Sequence, residues 1–410
     1  MPEAGAPPSR RASSSAASLA NRIPGLLLLI ALMLCAFTAA ASPRIGVVTM
    51  QPGEIFFERF GHNAILVEEP ADDTAISYNF GYFDPSEPDF IARFIRGEMS
   101  YQLVAVPLQD DLSYYGDVGR GVSLQWLDLD PADAAELAAA LAENARPENA
   151  HYRYDYFLDN CSTRVRDALD RALDGGLARQ MGGSRGDTFR SEATRLASPD
   201  FWMWLGFDLG LGPAADQPLS NWGDAFVPMR LAASLRDAHS PDGAPLVVEE
   251  LELLPHRLDP EPVATPRRWW LWLLAGGIIG GALALTGRVR PRPVAGLALP
   301  FWMISGVLGA LMLFIWFATA HRFGWANYNL LLMSPLAWGL LPGGWRLARG
   351  RAAGRWFDIL LQAMPVLAII ALFTHWLQSL PQQNGHWIVL LLPIHLGLML
   401  GLRKRARMEH

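Results

Sequence analysis

"DYFLDNCSTRVRDALDRALDGG", residues 155–176, holds the only cysteine of the chain outside an N-terminal apolar run. From Cys161 onward the apolar side chains fall at Val165, Ala168, Leu169, Ala172 and Leu173, the spacing of a helix with one face turned to a core. Asp159 and Asn160 are N-cap residue types, and Gly175 and Gly176 stop the helix. The thiol therefore opens a helix. There the unsatisfied N–H groups and the positive end of the dipole favour a thiolate, and Arg164, one turn on, adds positive charge. The competing reading is a small buried residue at a helix start, a common fate of free cysteine.

The N-terminus bears on that choice. Arg10, Arg11 and Arg22 precede an apolar run at 23–36, and Ala39, Ala40, Ala41 and Ser42 come after it. Residues 1–41 read as a secretory signal peptide or an uncleaved signal anchor. Leu34 stands before Cys35 where lipoprotein processing wants a small residue, so lipidation at Cys35 is discounted. The chain beyond the signal is expected to be exported, into a compartment where disulfides form. Cys161 has no downstream partner, which flags it as a free thiol and a candidate for reactivity.

From Trp269 the composition changes. Apolar runs at 269–285, 297–318, 328–345, 357–380 and 387–402 each approach the ~20 residues that cross a bilayer. Trp269, Trp270, Trp325 and Trp387 stand at their edges, as interfacial aromatics do. Arginines collect in alternate loops: Arg288, Arg290 and Arg292, then Arg346, Arg349, Arg351 and Arg355, then the tail at 403–410. The other loops carry only Arg322. The positive-inside rule puts the arginine side in the cytoplasm and everything before Trp269 outside, in agreement with the signal. The expected architecture is an exported α+β domain at 42–257, a proline-rich linker at 258–268 and an all-α membrane domain of about five helices at 269–402. The net charge of −6 combines an acidic exported half with a basic cytoplasmic face and is no nucleic-acid signature.

Within the exported half, 44–50, 62–69, 75–83, 101–108 and 121–129 read as strands, the second and third as a hairpin turning at Asp72 and Asp73. In "HNAILVEE" His62, Ala64 and Leu66 share one face, and Asn63, Ile65 and Val67 the other. Asp130 and Pro131 begin a helix that runs to Ala145. His151 sits on an apparent connector, and "GGSRGD" at 182–187 reads as a flexible loop. A thiol nucleophile needs a base within reach and a third polar group to orient it. His62 is the histidine of this half placed on a rigid element. A cysteine at a helix start facing a histidine on a strand is a papain-type arrangement, here with the histidine first.

"FGHNAI", "YNFGYFD" and "YRYDYFLDNCSTRVRDAL" resemble the Lnb N-terminal periplasmic domain family, whose namesake is an integral-membrane lipoprotein transacylase. "HRFGWANYNLLLMSPLAWGLLP" is similar to that family's membrane-half motif of a histidine, paired asparagines and a proline. More distantly, the pattern is similar to the lecithin:retinol acyltransferase-like enzymes, permuted relatives of NlpC-type cell-wall peptidases. The resemblance implies a permuted papain-like sheet with helices, Cys161 as nucleophile and His62 as base, with Asn79 or Tyr78 as orienting residue. Asn160 and the helix-start N–H groups would stabilise an oxyanion, and Arg164 would support the thiolate. His321, Asn327 and Asn329, in an outer loop of the membrane half, would hold a lipid head group. Tyr154 and Tyr156 are expected as walls of the site. Met99, Trp126 and Phe157 are expected in the core.

The implied activity is a membrane-bound thiol acyltransfer from a lipid or lipoprotein ester to an amine through a cysteine thioester. A cell-wall amidase or peptidase of the same catalytic type and a non-catalytic membrane receptor or scaffold are the alternatives. No HExxH or paired-cysteine motif calls for a metal, no cofactor is expected, and no phosphate-binding glycine loop is present. "GGIIGG" at 276–281 lies in an apolar run and reads as close helix packing.

Overall fold

The computed structural model describes residue 5 and residues 42–72, 74–376 and 381–403. Apart from Gly5, the expected signal at 1–41 lies outside the described residues. So do Asp73, the end of the fourth apolar run at 377–380 and the tail from Lys404.

Seven antiparallel strands form one sheet in the order β6-β4-β3-β2-β1-β5-β7. They are β1 (Arg44–Met50), β2 (His62–Glu69), β3 (Thr74–Tyr82), β4 (Ser100–Pro107), β5 (Val122–Leu127), β6 (His151–Arg153) and β7 (Val247–Leu254). The alternation in β2 sorts its side chains to two cores. Ile65 and Val67 join Val47, Phe80 and Leu103 on one face. Ala64 and Leu66 join Val48, Met50, Leu124 and Trp126 on the other. Helix α1 (Phe90–Arg96) precedes β4, and α2 (Leu108–Asp117) covers the second face through Tyr115. Helix α3 (Pro131–Asn144), with Asp130 accepting from Ala132 N at 2.9 Å, covers the first together with α4 (Cys161–Ala172).

Helix α4 has the expected face: Val165 and Leu169 are fully buried, each contributing about 1.5–3 kcal/mol of apolar burial. Its start is fixed by a capping box in which Asn160 Oδ1 accepts from Thr163 N (2.9 Å) and Thr163 Oγ1 accepts from Asn160 N (2.8 Å). Met99, Trp126 and Phe157 are buried as expected. His151 lies in the short edge strand β6 rather than on a connector, because Gln102 pairs with it across β4. The 182–187 loop is pinned, with Arg185 donating to Asp224 at 2.8 Å. A second helical layer follows: α5 (Gly176–Gln180), α6 (Phe189–Ala197), α7 (Phe201–Gly210), α8 (Asn221–Asp224) and α9 (Pro228–Asp237).

Among the described residues four helices are long and apolar enough to cross a membrane. They are α10 (Trp269–Val289), α11 (Pro291–Ala318), α13 (Arg355–Phe373) and α14 (Gly385–Leu402), with the short α12 (Leu341–Ala348) between α11 and α13. The sheet domain comes first in the chain and the helical part, with these candidate spans, after it.

The third expected span is not a helix. Residues 328–348 form 3-10 turns at Tyr328–Leu331 and Pro335–Leu340, then α12. Pro335 and Pro342 remove backbone donors there. The irregular backbone is served by neighbours: His395 Nε2 bonds the Leu332 carbonyl at 2.9 Å, and Ser334 Oγ accepts from Leu336 N at 3.3 Å. The segment still runs along most of α11, with Pro335 beside Gly309, Trp338 beside Gly306, Gly344 beside Trp302 and Gly350 beside Arg292. Irregular backbone at this depth is tolerated where protein covers it. Gly276 and Gly280 pack against α14 so closely that a Cβ on Gly280 would overlap the Pro393 carbonyl.

The two halves are joined by hydrogen bonds. Asp208 of α7 accepts from Trp387 Nε1 (2.7 Å), lies 2.6 Å from His386 Nε2 and pairs with Arg267. Burial pushes the Asp208 carboxyl up, but the His386 hydrogen bond and the Arg267 charge outweigh it, and its pKa ends below the usual range. Beside it Arg190 and Asp216 form a fully buried pair at 2.9 Å, and Asp216 also accepts from Gln383 N.

Candidate active site

Cys161 and His62 open on one cavity of about 450 Å³ between the sheet domain and the C-terminal end of α11. His62 is the first residue of β2 and Cys161 the first of α4, and both line this cavity. Strand β3 makes a register shift between Phe80 and Tyr82. Gly81 there has φ 96°, and a Cβ on it would lie 3.6 Å from Cys161 Cβ, so the glycine serves both the turn and the approach of the thiol.

Asn79 fixes the imidazole. His62 Nε2 lies 3.0 Å from Asn79 Oδ1, and Asn79 Nδ2 donates to Asp111 Oδ2 (2.8 Å) and Ser77 Oγ (3.0 Å). A carboxylate can only accept, so the Asn79 amide must turn its nitrogen to Asp111 and its oxygen to His62. His62 Nε2 is therefore the protonated nitrogen and Nδ1 the basic one. Burial, opposed by the Asn79 hydrogen bond and reinforced by the Arg120 charge, lowers the His62 pKa to about 4. Burial also raises Asp111.

Ring and sulfur are not hydrogen-bonded to each other here; the link between them is the strand itself. The backbone N–H groups of Asn63, Ser162 and Cys161 all lie toward the sulfur, and Ser162 Oγ sits 2.9 Å from Asn63 Oδ1. These three N–H groups favour the thiolate, as does Arg120, but burial outweighs them and raises the Cys161 pKa. The dipole-lowered thiol expected from the sequence is thus reversed by desolvation. At neutral pH the resting pair is neutral thiol and neutral imidazole.

Several expected contributors stand elsewhere. Arg164 grips Asp159 at 2.6 and 2.9 Å and lies over Tyr152, so its charge is committed. The cation acting on the thiol is Arg120, which the sequence reading missed; it is 3 % exposed and donates to Gln51 O at 2.7 Å. The Asn160 side chain cannot serve an oxyanion: its amide donates to the Tyr156 and Phe226 carbonyls, and its oxygen caps Thr163. Asn327 and Asn329 are buried and both donate to Leu209 O, at 2.7 and 3.0 Å, while Gln382 and Asn384 donate to their oxygens. They fasten the loop to α7 and leave nothing for a head group. His321 alone of that trio lines the cavity, its Nε2 3.0 Å from Phe94 O and its Nδ1 3.5 Å from the Tyr156 hydroxyl. Asp111 and Ser77 were also missed.

The rest of the cavity wall is apolar and aromatic, with Phe57, Phe94, Phe207 and Ile315 among its residues, and Tyr154 and Tyr156 as expected walls. Burial pushes both tyrosine hydroxyls up, so they stay protonated. No Lys, Arg, Asp or Glu lines the cavity among the described residues. No cluster of three or more His, Cys, Asp or Glu suited to a metal occurs among them either. Such a site can activate a thiol, hold an oxyanion on backbone N–H groups and bury a hydrocarbon chain.

Residues 36–192 match the family model of the Lnb N-terminal periplasmic domain, and residues 260–406 match that of the Lnb transmembrane domain. No curated protein and no solved structure matches the chain.

Proposed function

The chain belongs to the Lnb family, and from that membership we propose that it is a cysteine-dependent acyltransferase of the bacterial inner membrane, working on its outer face. It moves a fatty acyl chain from a lipid or lipoprotein ester to an amine, with lipoprotein modification as its role. The observation that carries this reading is the placement of Cys161 and an Asn79-oriented His62 on one apolar cavity against the membrane half.

Atoms and protons balance at each step. His62 Nδ1 takes the Cys161 proton, and the sulfur attacks the ester carbonyl. The N–H groups of Asn63, Ser162 and Cys161 hold the developing oxyanion. The ester C–O bond breaks, His62 returns its proton to the departing alkoxide, and a thioester remains on Cys161. An amine then attacks the thioester, the C–S bond breaks, and His62 carries the amine's proton back to sulfur. An amide and the free thiol result. The neutral resting pair keeps the thiolate scarce, so the proton leaves the sulfur as the sulfur attacks the ester carbonyl.

Purified full-length protein given a lipid ester and no amine should gain the mass of one acyl chain at Cys161, released by neutral hydroxylamine. Cys161→Ala should gain none. An active preparation that never shows this mass under rapid quench overturns the covalent route. Cleavage of peptidoglycan stem peptides would put an amidase in its place.

A further inference from the structure

The sheet domain carries an apolar surface out of keeping with a domain surrounded by water. Helix α7, "FWMWLGFDLG", has one charged residue, Asp208, and that is turned into the seam. A helix apolar all round belongs in a core. Yet Phe201 is 58 % exposed and Trp202 76 %. Across the cavity, Ile91 and Ile95 of α1 and the Phe56–Phe57 pair are exposed too.

Both elements sit at the level where the spans end. The last turn of α7 is bonded through Asp208 to His386 and Trp387 at the start of α14 and through Leu209 O to the loop after α11. Helix α1 ends on the same loop: Arg96 O accepts from Ala320 N at 2.7 Å, and His321 lies against Phe94 O. Arg93 and Arg96 sit beside its apolar residues, the composition of a helix lying in a membrane interface. Trp202, Met203 and Phe207 of α7 line the cavity, as do Phe94 of α1 and Phe57. Ile315, in the last turn of α11, lines it too.

We propose that α7 and α1 lie in the leaflet at the outer ends of the spans and form the two sides of a lateral portal, through which a hydrocarbon chain passes from the bilayer to Cys161. The occupant of the exposed face is the bilayer itself, since both helices are bonded to the ends of apolar spans, α7 to the start of α14 and α1 to the loop after α11, and so carry their exposed aromatic and aliphatic side chains at the level where those spans end. The portal rests on the acyl-transfer reading, whereas the seating of α7 in the membrane does not.

Two measurements separate these. With Cys35 and Cys161 replaced by serine, Trp202→Cys carries a bimane label in the full chain in nanodiscs containing lipids with a nitroxide near the head group. Quenching at 202 should match that of Ile278→Cys, on the exposed side of α10, and exceed that of Val248→Cys, on the edge strand β7. Quenching no greater than at 248 overturns the seating. Shielding from aqueous iodide without nitroxide quenching would show that a protein covers the face, and overturns it equally. In the wild-type background, Ile91→Glu with Phe201→Glu, one on each helix and neither in the cavity lining, should slow acylation of Cys161 by bilayer lipid about tenfold or more, the scale of removing two apolar side chains from the leaflet. Acylation by soluble p-nitrophenyl butyrate should be unchanged. Equal loss with both esters overturns the portal. Failure of the wild type with either ester strikes the acyl-transfer reading, while the quenching still decides where α7 lies.

Discussion

Asn79 is held at both ends of its amide, and the orientation of His62 depends on which end faces which neighbour. Asp111→Leu removes the acceptor at 2.8 Å that turns the amide, so the His62 tautomer is no longer imposed. The expected result is a fall in kcat with KM little changed, smaller than the ~10²–10⁴-fold loss for removing the base itself in His62→Ala. Asp111→Asn, whose oxygen can still accept, should recover much of it. An unchanged kcat in Asp111→Leu would remove Asp111 from the site. The raised Cys161 pKa predicts alkylation that is slow at neutral pH and climbs through and above the ordinary thiol value of 9.0, where an ion pair would give a plateau from mildly acid pH. For His62 the folded pKa, about 4, lies below the ordinary 6.5, so the folded state binds fewer protons. Its contribution to stability is full above 6.5 and is lost as pH falls from there toward 4; His62→Gln should flatten that part of a stability–pH curve. Cys161 and His62 were legible because each sits in a local pattern, one opening a helix and the other a strand. Asp111, Ser77 and Arg120 were not, because their part depends on which strands pair and on what α2 covers. Arg164 was misjudged because sequence proximity to the thiol said nothing of Asp159 competing for its charge.

Strands and helices with strong periodicity were readable from the chain alone: β1, β2, β3, α3 and α4 begin or end within a residue or so of their sequence patterns. Two elements that matter were hidden. Strand β7 mixes apolar and acidic positions in pairs, "VVEELELL", so no period of two stands out. Helix α7 is apolar on every side, so periodicity has nothing to report; its meaning comes from Asp208 and the spans beside it. The third pass had the right length and hydropathy but the wrong conformation, since Pro335 and Pro342 take effect only where neighbours can satisfy the freed carbonyls. The seam and the span contacts give one test each. Asp208→Ala leaves Arg267 and His386 without their carboxylate in a buried site, a class of change that costs about 3–5 kcal/mol. It should lower the thermal transition of the intact protein and expose the 258–268 connector to protease, and Asp208→Asn should do so less. Gly280→Leu should separate α10 from α14, where the backbones meet without room for a side chain, and a disulfide trap between 284 and 401, where these helices touch, should then fail to form.

Across the whole molecule, arginine placement and packing make the same division without sharing an observation. Arg292 and the 349–351 turn lie together at one end of the helical part, with Gly350 against the Arg292 guanidinium. At the other end the loops after α11 and before α14 are bonded to the sheet domain through Asp155, Leu209 and Asp216. A sheet domain on the arginine-poor side is what the positive-inside rule requires for an exported domain. The arrangement makes a demand on the irregular third pass. If 328–348 crosses the bilayer despite its 3-10 turns, reporter fusions after Arg290 and after Arg351 both read as cytoplasmic, and fusions after Val263 and Gln382 read as exported. If the segment instead dips in and returns, the fusion at 351 reads as exported, and α13 and α14 then swap direction and carry Arg403 with them. The packing of 335–350 along α11, from Gly309 down to Arg292, traverses most of a helix that is about 42 Å long. A re-entrant loop covers its neighbour only partway, so the fusion at 351 is expected on the cytoplasmic side. An exported reading there would break the five-pass path, and a cytoplasmic reading at 263 would remove Cys161 from the compartment in which an outer-leaflet ester could reach it.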